Sequence, residues 1–115
     1  MARDETIFPS ASYSANQTKV ITIAEKYEAA EVVVDITAGL PNLVVTLGGK
    51  DATSGKTYTI LTSSILTSGT TALRIGPELT AGTNVAKDYV PYELSVAVTQ
   101  SGGVATTYSI GASLE

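Results

Sequence analysis

The chain has 115 residues, enough for one core but not two, with 43% hydrophobic and 16% charged residues, so a folded domain is expected and wholesale disorder is not. Its net charge of −4, with only seven Lys and Arg scattered along it, argues against a nucleic-acid partner. With no cysteine and no histidine, disulfides, thiol nucleophiles, Ser–His catalysis and His or Cys metal sites are all excluded.

The opening "MARDETIFPS" is polar and charged. It resembles neither the apolar core of a signal peptide nor a membrane span, so folding in a cytoplasm and no membrane partner are expected. It lacks clear alternation and contains Pro9, so residues 1–14 are expected to form an extended arm ahead of a domain at 15–115. Such an arm could add to the exposed sheet edge of a neighbour, with Ile7, Phe8, Pro9 and Tyr13 as contact residues.

Beyond the arm, Thr, Ser, Val and Ile dominate, and β-branched residues pack well on a pleated surface. "KVITIA" sets Val20 and Thr22 against Ile21 and Ile23. "AEKYEAAE", residues 24–31, is rich in helix formers but long enough only for a turn or linker. "EVVVDIT" groups Val32, Val34 and Ile36 on one face, with Val33, Asp35 and Thr37 opposite. After a turn at residues 38–42, "LVVTL" groups Leu43, Val45 and Leu47.

The next stretch, "GGKDATSGKTYTI", contains the Gly-Lys-Thr that ends a phosphate-binding loop. The spacing misses by one residue: the required first glycine falls on Lys50, and Gly49 leaves five intervening positions. A phosphate loop must also open into a helix whose free amides hold the anion, whereas "TYTILT" reads as a strand. The prediction is a hairpin, with Asp51 capping the turn and Gly55 at positive φ. Strands follow at "KTYTILT", "TALRI", "YELSVAVT" and "ATTYSIGASL", with turns at Ser68-Gly69, residues 80–84 and residues 101–103. In "YELSVAVT", Tyr92, Leu94, Val96 and Val98 share a face. The predicted fold is all-β: a single antiparallel β-sandwich, Ig-like or jelly-roll-like, of seven or eight strands.

Candidate chemistry is sparse. Asp35 interrupts a valine-rich strand but has no second catalytic group nearby, so it reads as a residue of a solvated face. Asp51 and Asp88 lack calcium-loop spacing and read as turn residues. Arg74 is expected to pair with a carboxylate across the sheet. Asn16-Gln17-Thr18 matches a glycosylation tripeptide by chance. Tyr92 and Tyr108 look like core or core edge, while Tyr89, in the loop "KDYVPY", is the expected exposed contact. It underlies the alternative reading, a surface- or carbohydrate-binding module. The expectation is a protein that is not an enzyme and takes no cofactor or metal.

The segment "GKDATSGKTYTILTSSILTSGTTALRIGPEL", together with "VVVDIT" and the closing "TTYSIGASLE", resembles a family of small structural proteins of tailed bacteriophages, over roughly residues 31–115. Ala52 departs from the proline often found there. The resemblance implies a virion protein that decorates or cements the outside of the capsid, or alternatively a minor head or tail component. It implies as partners the major capsid protein or neighbouring virion proteins, and copies of the chain itself in a homo-oligomer such as a trimer. It implies no active residues.

Overall fold

The computed structural model describes residues 3–23, 25–39, 42–101 and 105–115. Among them nine strands form: β1 (Arg3–Tyr13), β2 (Gln17–Thr22), β3 (Ala30–Ala38), β4 (Leu43–Lys50), β5 (Thr57–Thr62), β6 (Gly69–Ile75), β7 (Val85–Ala86), β8 (Glu93–Gln100) and β9 (Thr106–Leu114). One sheet has the order β1-β9-β3-β6-β7 and the other β2-β8-β4-β5. All neighbours are antiparallel except the two-residue β7, which runs parallel to β6.

The pairings are nested. β4 pairs with β5, β3 with β6, β2 with β8 and β1 with β9. With β7 set aside, the chain is one long antiparallel ribbon, creased at the β4–β5 hairpin and rolled into two sheets. That is the jelly roll, one of the two sandwiches expected.

The hydrophobic periodicity explains the sheets' inner faces. Val32, Val34 and Ile36 of β3, Leu43, Val45 and Leu47 of β4, and Leu94, Val96 and Val98 of β8 are all buried. Alternation in β9 buries Thr106, Tyr108, Ile110, Ala112 and Leu114. Gln100 joins the two sheets at one end: its Nε2 donates to the Tyr13 carbonyl (3.2 Å) and to Thr106 Oγ1 (3.3 Å).

The N-terminal segment is extended as expected, but it is not an arm outside the domain. Residues 3–13 are an edge strand of the first sheet, running from the Arg3↔Leu114 pair to Tyr13↔Thr106. Two register shifts, flanking Phe8, break the alternation that would have revealed the strand in the sequence. In the 24–31 stretch no helix forms among the described residues. Glu28 and Ala29 instead donate backbone bonds to the Glu115 carbonyl, and β3 begins at Ala30. Parts of two expected turns, Leu40-Pro41 and Gly102-Gly103, lie outside the described residues.

Candidate functional site

The residues first expected to make partner contacts divide sharply. Ile7 and Phe8 are 1% and 7% exposed and belong to the domain's own core, so they are corrected from docking residues to packing residues. Phe8, Tyr13 and Tyr108 form an aromatic cluster, with ring centroids 6.0 Å apart for Phe8–Tyr13, 6.4 Å for Phe8–Tyr108 and 4.5 Å for Tyr13–Tyr108. Pro9 is exposed, and its carbonyl accepts a hydrogen bond from Tyr13 Oη at 2.7 Å. Tyr89 is 74% exposed, as expected of that loop, and its amide donates to Asp88 Oδ1 at 2.7 Å.

Other polar residues take structural roles. Asp35 Oδ1 accepts from Thr70 Oγ1 at 3.1 Å across the β3–β6 ladder. Arg74 Nε donates to Glu31 Oε2 at 2.8 Å from the directly opposite position, the expected in-sheet pair, and both side chains are about half exposed. Such a pair contributes little. Among the described residues no group of three carboxylates could hold a metal ion.

The Gly-Lys-Thr stretch is a hairpin turn. Asp51 Oδ2 accepts from Ser54 Oγ (2.8 Å) and Ser54 N (3.1 Å), and Oδ1 from Thr53 N (3.4 Å). The Ser54 hydroxyl and then these amides hold the Asp51 carboxyl below its ordinary pKa. Gly55 sits at φ +73°, a conformation strained for other residues. The loop therefore has neither the helix nor the free amides an anion site needs.

Beside this turn lies a surface that sequence reasoning did not assemble. Tyr58 on β5 is paired with Gly49 of β4, and Gly49 is paired on its other side with Leu94 of β8. Leu94 points into the core, so Gly49 and Tyr58 occupy the same inward-facing register, as does Tyr92 two residues before Leu94. At this end of the sandwich that inner face is open. Tyr58 is 52% and Tyr92 63% exposed. Tyr92, expected in the core or at its edge, keeps the inward-facing register but is not buried, because it precedes β8 at the open end. The two rings border a groove of about 360 Å³ lined also by Lys50, Asp51, Val90, Pro91 and Glu93.

A glycine makes the floor. A Cβ on Gly49 would fall 2.3 Å from Tyr58 Oη and 2.4 Å from its Cζ, so the phenol lies across bare backbone. A Cβ on Gly48 would meet the Tyr58 carbonyl oxygen at 1.9 Å, at the register shift between Leu47 and Gly48. The Gly-Gly pair opposite a tyrosine in the hairpin was the available signal for this groove.

No protein-family model and no curated protein matches the chain by sequence. Solved structures match it by fold. The SPBc2 prophage-derived protein YomS aligns over 100% of this chain and 96% of its own, with a TM-score of 0.56 and 10% identity. The Yersinia pseudotuberculosis-derived mitogen aligns over 100% of this chain and 85% of its own (TM-score 0.53, 11% identity). A structure from the disulfide-linked pili of Bacillus endospore appendages aligns over 98% and 84% (TM-score 0.52, 10% identity). At such identities what is shared is the fold. Without a cysteine, this chain cannot form the disulfide links named for the pili.

Proposed function

We propose that the chain is a non-enzymatic structural protein of a bacteriophage virion, which decorates or cements the outer capsid surface through protein–protein contacts. The observation that carries this reading is the jelly roll shared end to end with a prophage-derived protein. The phage-like segment at residues 49–79 supports it, because the structure gives that segment an architectural role: hairpin turn, edge strand and the β6 pair to β3. On a capsid lattice, many weak and symmetric contacts add to high avidity without any single strong site. The proposed partners are the major capsid protein and further copies of this chain in a homo-oligomer, and the proposed place of folding is the host cytoplasm.

Co-sedimentation with capsids purified without this protein tests the reading, together with the temperature at which those capsids rupture. Saturable binding at fixed stoichiometry and a raised rupture temperature are expected. Capsids that neither bind the protein nor gain stability would overturn it.

A further inference from the structure

The Tyr58–Tyr92 groove has a construction that packing alone does not require. Two large rings stand half or more exposed on either side of it, and the glycine beneath one of them leaves room for the ring to lie flat against the sheet. A ring laid over bare backbone leaves its outer face open for something to stack on. The remaining lining is mixed: Val90 and Pro91 are apolar, while Lys50, Asp51 and Glu93 carry a donor and two carboxylates. Flat apolar faces edged with hydrogen-bonding groups suit a pyranose, whose C–H face packs on an aromatic ring while its hydroxyls reach the rim. The acidic excess at the rim disfavours an anionic sugar.

We propose that the groove between Tyr58 and Tyr92 binds a neutral sugar ring of a glycan chain. Tyr58 and Tyr92 supply the stacking faces, Glu93 and Asp51 accept from sugar hydroxyls, and Lys50 donates to them. Asp51 already accepts three hydrogen bonds from its own turn, so its contribution is one remaining lone pair and Glu93 is the principal acceptor. The site is distinct from Tyr89, which does not line the groove. The inference is independent of the virion reading: a sugar-binding chain could sit on a particle or elsewhere.

The test is an amide chemical-shift titration of the full chain with maltohexaose, cellohexaose and N-acetylchitohexaose at millimolar concentration. Saturating shifts confined to residues 49–52, 58 and 90–93 are expected with at least one of the three. Tyr92→Ala should weaken that binding about tenfold, as loss of one stacking face implies. Tyr58→Ala should do the same, while Tyr89→Ala should bind as the unaltered chain does. Because Tyr92 is outside the core, Tyr92→Ala also keeps the test valid if Tyr58→Ala unfolds. No shift with any of the three sugars would overturn the proposal. Shifts centred elsewhere, or binding untouched by Tyr92→Ala, would do so too.

Discussion

Two adjacent glycines, Gly48 and Gly49, face the same tyrosine for different reasons. A side chain on Gly49 meets the far end of the Tyr58 ring, which can swing away, whereas one on Gly48 meets the Tyr58 backbone carbonyl, which cannot. Gly49→Ala should therefore cost under about 1 kcal/mol in denaturant unfolding but displace the ring, altering the Tyr58 environment. Gly48→Ala should cost on the order of 3 kcal/mol, because the β4–β5 ladder must shift. Tyr108 makes a second residue-scale case. Its ring is fully buried, its Oη has no hydrogen-bond partner among the described residues, and burial pushes its pKa up to about 12. A raised folded-state pKa means that stability is full below the unfolded value near 10 and falls as pH climbs towards 12. Tyr108→Phe should leave neutral-pH stability unchanged or raised by up to about 1 kcal/mol, since only an unpaired hydroxyl is removed. The same substitution should flatten the decline between pH 10 and 12, read by urea midpoints across that range.

At the scale of elements, β1 matters most because it closes the roll. Its free edge is poorly suited to pairing with another chain. Two register shifts and Pro9 interrupt it, and Asp4 and Glu5 place charge along it. The Arg3 guanidinium ties its start to the end of β2, donating to the Ile23 carbonyl at 2.8 Å and forming an ion pair with Glu5. Deleting residues 2–12 should thus abolish cooperative unfolding, measured by circular dichroism on heating, rather than only remove a partner contact. Phe8→Ala should cost about 3 kcal/mol. Seven strands were legible from period-two alternation and turn residues, because each buries one face and exposes the other. β1 was not, because its bulges shift the period. β7 was not, because two residues carry no period at all. The groove escaped for a different reason: alternation assigns a face, but not whether the opposing sheet extends far enough to cover it. Tyr108 and Tyr92 share the inward register, yet one is sealed and the other open.

The whole molecule is a rolled ribbon whose order of pairing, innermost hairpin to outermost termini, links Arg3 to Leu114. Such a fold serves many functions. The proposed virion role also draws on the family resemblance of residues 49–79, the stretch at the crease of the ribbon. The groove sits beside that crease, at the end of the sandwich where Lys50 and Asp51 turn. The direct measurement is quantitative mass spectrometry of any phage particles produced from the genome that carries this reading frame, joined with imaging of the same particles. The virion reading requires a fixed copy number per particle, in a whole-number ratio to the major capsid protein, with density on the outer capsid lattice. Particles that are complete and infectious without a trace of this chain would contradict it.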